Sequence, residues 1–124
     1  MGNIKLACET YTWQMPGEQY KGKLDHIMGI IRQAGFTGIE PETSFFGDLS
    51  DPIKMNEVME QHLLELTALV HVEDWRHANE TETEKQHAEQ WMAFMKHFPD
   101  AIYLLVQMPG SDRNNLVERQ QNLL

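Results

Sequence analysis

At 124 residues, with 41% hydrophobic and 23% charged residues, the chain has ordinary globular composition and the length of one domain with its own core. Nineteen acids against ten Lys and Arg give a formal charge of −9, which argues against duplex nucleic acid and anionic membranes as partners, because both reward clustered cations. The single cysteine, Cys8, excludes an intramolecular disulfide, a zinc ribbon and a thioredoxin-type pair.

The N-terminus "MGNIKLACET" lacks a basic start followed by a long apolar run, so no secretory signal is expected. Gly2 opens a myristoylation pattern that fails at Leu6. No apolar run approaches the roughly 20 residues of a membrane span, and the expected location is the cytoplasm.

"IKLACETYTW", Ile4 to Trp13, puts Ile4, Leu6 and Cys8 on one parity and predicts a first strand in which Cys8 serves packing. "KLDHIMGIIRQAG" follows with Leu24, Ile27, Met28 and Ile31 at helical spacing and Gly35 as the stop. "FTGIEPE", Phe36 to Glu42, predicts a short buried strand. Asp51 then caps a helix with Pro52 at its first position, and Val58, Met59 and His62 or Leu63 continue the inner face. "LELTALVHV", Leu64 to Val72, predicts the third strand and runs into "HVEDWRH". Thr81 with Glu84 three residues on forms a capping box, opening a helix whose inner stripe reads Ala88, Trp91, Met92 and Met95. "AIYLLVQM", Ala101 to Met108, is nearly continuous apolar sequence, as in a parallel strand covered by helices. A fourth helix is expected from Ser111 or Asp112.

Strand and helix thus alternate four times with short connections, which predicts an α/β fold with parallel strands and right-handed crossovers. Four consecutive βα units are half of the eight in a closed (β/α)8 TIM barrel, which takes about 250 residues. Leu123 and Leu124 fall inside an amphipathic helix without a C-cap. The expectation is therefore the N-terminal half of such a barrel over residues 1–124, with a complete four-stranded open sheet as the alternative.

"KLACETYTW", "AGFTGIEPE", "LVHVEDWRH", the Glu-rich start of the third helix and "FPDAIYLLVQMPG" together resemble the sugar phosphate isomerase/epimerase family, with its xylose isomerase-like barrel. The resemblance spans essentially all 124 residues but only the N-terminal half of that family's domain. It implies metal-dependent aldose–ketose isomerisation or epimerisation of a sugar or sugar phosphate, through an enediolate. It also implies a divalent metal (Mn, Mg, Co or Zn) held by Glu, Asp and His on strands of the second half. No residue here matches those ligands, so none of these metals is expected to bind this chain specifically, and activity of the chain alone is not expected.

In a barrel, the groups that meet substrate project from the C-terminal strand ends. Those places hold Trp13, Glu42, His71, Glu73, Trp75, Arg76 and Gln107, the candidate substrate-binding residues. Carboxylates and amides bond sugar hydroxyls, an indole covers the apolar face of a ring, and Arg76 can hold a phosphate or carboxylate. Structural roles compete with this: a satisfied buried His71, and Arg76 paired with Asp74 or Glu80. "HVEDWRH" has the composition of a metal site, but its spacing is neither HExxH nor a repeated His-x-His pair. No metal and no catalytic residue is assigned to it. The partners expected are a sugar or sugar phosphate in the full-length form, and a second copy or a complementary half-barrel. The non-enzymatic alternative is a half-barrel that self-associates across its strand edges.

Overall fold

The computed structural model describes residues 4–75 and 78–107. The elements run β1 (Ala7–Glu9), α1 (Tyr11–Gln14), α2 (Leu24–Gln33), β2 (Gly38–Glu40), two 3-10 turns (Thr43–Phe45 and Gly47–Ser50), α3 (Pro52–His62), β3 (Glu65–Leu66), β4 (Ala68–Glu73), α4 (Glu82–Met95) and β5 (Ile102–Gln107). Every strand pair is parallel: Cys8 lies beside Ile39, Ile39 beside Leu66, and Leu69 beside Tyr103. The α/β class with parallel strands is therefore observed. The described strands do not close into a barrel. The helix expected from Ser111 or Asp112, together with Arg76, His77 and Met108, lies outside the described residues.

β3 and β4 are one strand interrupted at Thr67. The Thr67 amide and hydroxyl both donate to the Ile39 carbonyl at 3.1 Å, and its own carbonyl accepts from Ile102 N–H at 3.0 Å. Val70 N–H donates to the Pro41 carbonyl at 2.9 Å, and Glu42 bridges Val70 in parallel. The spatial order is thus β1, β2, β3/β4, β5, following the sequence. Strict alternation would put Leu66 and Leu69 on opposite faces. The break at Thr67 lets both enter the same core, as a bulge does.

That core lies between the sheet and its helices. α2 contributes Leu24, Ile27, Met28 and Ile31, α3 contributes Met55 and Met59, and α4 contributes Trp91 and Phe94, against Ile39, Leu66 and Leu69. Phe45 and Phe46, in the 3-10 turns, complete it, with Phe46 edge-on to Trp91 at 5.0 Å and to Phe94 at 5.5 Å. Helix ends follow local chemistry. Asp51 accepts from Ile53 N–H at the start of α3, the Thr81–Glu84 box opens α4, and Gly35 ends the turn after α2 at φ +96°.

Several expectations are corrected. The first strand stops at Glu9, and Trp13 sits on the helical turn α1. Thr10 turns the chain there: its carbonyl accepts from Trp13 N–H at 3.0 Å while its hydroxyl accepts from Glu42 N–H at 3.0 Å. Ile4 and Leu6 are exposed. On α4, Met92 faces out and Phe94 faces in. β5 leaves Ile102, Leu104 and Leu105 exposed, whereas a strand covered by helices was expected.

Candidate functional site

β4 carries Leu69, His71 and Glu73 on one face, and β5 sets Tyr103, Leu105 and Gln107 beside them. His71 is 1% exposed. Its Nδ1 lies 2.6 Å from the Tyr103 hydroxyl and its Nε2 3.1 Å from Glu73 Oε1. The same oxygen lies 2.5 Å from His87 Nδ1 on α4. One carboxylate therefore sits between two imidazoles. Their ligand atoms fall within 4.8 Å of one another, and this is the one such group of three or more among the described residues.

The protons can be placed. Burial, and then the charges of Glu73 and Glu80, push the Tyr103 phenol up to about 12, so near neutral pH it remains a donor. A carboxylate only accepts, which assigns His71 Nε2–H and His87 Nδ1–H as donors to Glu73, and in the neutral imidazole this leaves His71 Nδ1 to accept from the phenol. Tyr103 also stacks on His71, with planes 7° apart and centroids separated by 5.9 Å. The buried imidazole is thus fixed on both nitrogens.

A cleft of about 280 Å³ opens over this triad, lined by Glu42, Ser44, His71, Glu73, His87 and Gln90 among others. Glu42 is buried and accepts from Gln14 Nε2 at 3.2 Å, from the Thr43 hydroxyl at 3.1 Å and from the Ser44 hydroxyl. A second cleft, of about 810 Å³, lies along α4 and β5 and is lined by Trp75, Lys85, Met92, Tyr103, Leu105 and Gln107 among others. Trp75 stands between the two, its ring edge-on to His71 at 5.5 Å. Its φ of +41° is left-handed, a conformation costing about 1–3 kcal/mol in a non-glycine residue. The conformation is held from both sides: Trp75 N–H donates to buried Glu84 Oε2 at 2.6 Å, and its carbonyl accepts from Gln107 Nε2 at 2.9 Å. A third cleft, of about 580 Å³, lined by Lys5, Glu65 and Ala101, lies at the opposite, N-terminal strand ends.

The structure therefore brings Glu42, His71 and Glu73 into one cleft and Trp75 and Gln107 into its neighbour. Trp13 joins neither and packs, half-buried, against the core. Arg76 lies outside the described residues. His87 was missed by sequence reasoning. Its signal was the helical spacing from Glu84 through His87 to Trp91, the stripe that returns to the sheet. Glu84 does more than close the capping box, since one oxygen bonds Thr81 N–H and the other Trp75 N–H. Burial, then the charges of Glu9 and Glu40, push the Cys8 thiol up, which disfavours the thiolate.

The isomerase family's metal set of Glu, Asp and His from later strands does not fit these residues. The triad here is two histidines and one glutamate, and one of the three comes from a helix. No protein-family profile, curated protein or solved structure matches the chain.

Proposed function

We propose that the chain is the N-terminal half-barrel of a sugar phosphate isomerase/epimerase and contributes the wall of the substrate pocket. The observation that carries this is the strand order, β1, β2, β3/β4, β5, all parallel and following the sequence, with polar side chains gathered at the C-terminal ends of β2, β4 and β5. The Trp75 indole covers a ring face in the cleft it shares with Gln107, whose amide positions Trp75. In this chemistry a carboxylate base moves a proton beside a carbonyl. That base is not assigned to any described strand end.

The test is binding and turnover measured together. The chain is titrated with aldose and ketose phosphates while the Trp75 indole and Gln107 amide signals are followed by NMR, and isomerisation is assayed with Mn, Mg, Co and Zn. The expected result is shifts at Trp75 and Gln107 without turnover. Shifts confined to other residues, or turnover by monomeric chain, would overturn the proposal.

A non-enzymatic half-barrel that pairs with a second copy is favoured by one specific observation. Ile4 and Leu6 before β1 and Ile102, Leu104 and Leu105 on β5 are exposed, at the two outer strands of the order.

A further inference from the structure

We propose that His71 Nε2, the Glu73 carboxylate and His87 Nδ1 bind one divalent ion of the zinc class at the C-terminal end of β4. The fourth coordination position faces the cleft lined by Glu42, Ser44 and Gln90. This site does not depend on the isomerase proposal. Two of its donors lie on the strand face turned toward α4 and the third on α4 itself, and its occupant is a metal ion, not a sugar.

Two imidazoles with one carboxylate, and a coordination position left open, is a donor set that zinc uses at reactive sites. Magnesium and calcium prefer oxygen cages, so the two ring nitrogens select a transition ion. The three donor atoms lie within 4.8 Å of one another, so side-chain adjustments of about an ångström would complete the set. A tetrahedral ion with bonds of about 2.0–2.1 Å holds its ligand atoms about 3.3 Å apart. Here the carboxylate oxygen is 3.1 Å from His71 Nε2 and 2.5 Å from His87 Nδ1. Two of the three donors are also anchored. His71 and Glu73 project from a strand paired along its full length with β5. His87 sits one turn beyond Glu84, whose carboxylate closes the capping box of α4.

Metal binding takes the two ring nitrogens that now donate to Glu73, and each neutral imidazole keeps its one proton on its other nitrogen. On His71 the proton shifts from Nε2 to Nδ1 and is donated to the Tyr103 oxygen, so the same 2.6 Å contact serves with its direction reversed, and on His87 it shifts from Nδ1 to Nε2. Ligating histidines are ordinarily oriented through such a bond from their other nitrogen. Tyr103 is thus a positioning residue for the proposed ion, and His87 closes the set from the helix.

Zinc chloride is titrated by calorimetry into metal-free chain, with cobalt(II) absorption as a second readout. One equivalent is expected, with the visible bands of a four-coordinate nitrogen–oxygen site. His87→Ala alters an exposed helix position and leaves the core untouched. It is expected to weaken zinc binding by more than about 100-fold, beyond the range for loss of an outer partner, while Tyr103→Phe weakens it by about 10-fold. In wild-type chain, zinc should shift the imidazole nitrogens of His71 and His87. Shifts at His26, His62 or His97 in place of these, unchanged affinity in folded His87→Ala and Glu73→Gln, or displacement of zinc by equimolar magnesium would each overturn the proposal.

Discussion

Tyr103 lies between the ring of His71 and the negative field of Glu73 and Glu80, and its proton is held by burial first and by those charges second. In the unfolded chain the phenol titrates at its ordinary value of 10.0, whereas in the folded chain it titrates at about 12. Between those values the folded state binds the proton that the unfolded state has lost. This contribution to stability is complete below the unfolded value and is lost as pH rises through the folded one. Urea denaturation followed across that alkaline window should therefore show wild-type stability falling more steeply than that of Tyr103→Phe. Parallel slopes for the two proteins would show that the phenol is not held in this way. An ultraviolet difference titration of wild type against the variant isolates the same phenol, with an expected midpoint of about 12.

Glycine does two separable jobs at the level of elements. Gly35 ends α2 at φ +96° with open space around a would-be Cβ, so Gly35→Ala meets only backbone strain, about 1–2 kcal/mol. Gly38 has no positive φ, but a Cβ there would lie 2.7 Å from Thr67 Cγ2 and 3.1 Å from Ala7 Cβ. Gly38→Ala would push apart both neighbouring strands where β1, β2 and the β3/β4 break meet, at a cost of about 1–3 kcal/mol. Removing the methyl with Thr67→Ser should restore much of the stability of Gly38→Ala and none of that of Gly35→Ala, as read by thermal melting. Equal rescue of both would refute the steric account. Gly35 was legible in "AGFTGIE", as were Asp51 and the Thr81–Glu84 box, because each rests on chemistry within a few residues, whereas the need for Gly38 is set by Ala7 and Thr67 on the neighbouring strands. Phe45 and Phe46 were not, since 3-10 turns bury residues without a period. Met92 and Phe94 were exchanged because a stripe read from sequence alone is uncertain by a fraction of a turn. In the site, His71 and Glu73 follow from strand alternation. His87 required knowing which face of α4 returns to β4 (a tertiary fact).

For the whole molecule, charge and exposed apolar surface act in opposite directions. β5 carries Leu104 at 44%, Leu105 at 54% and Ile102 at 66% exposure, and among the described residues it pairs with β4 alone. An outer strand with its backbone groups and leucines in water is a template for another chain. The formal charge of −9 repels a second copy over a distance set by the Debye length, about 8 Å at physiological salt. Association driven by this edge should therefore strengthen as salt screens the repulsion, opposite to the salt response of a complex held by ion pairs. Sedimentation velocity across a concentration series should show reversible self-association that increases with sodium chloride. Leu104→Lys, which adds a cation to the strand without entering the core, should abolish it at every salt concentration while leaving the circular dichroism spectrum unchanged. A wild-type chain that stays monomeric at the highest concentration and salt would remove the self-pairing half-barrel from consideration, whereas association that survives Leu104→Lys would move the contact to another surface.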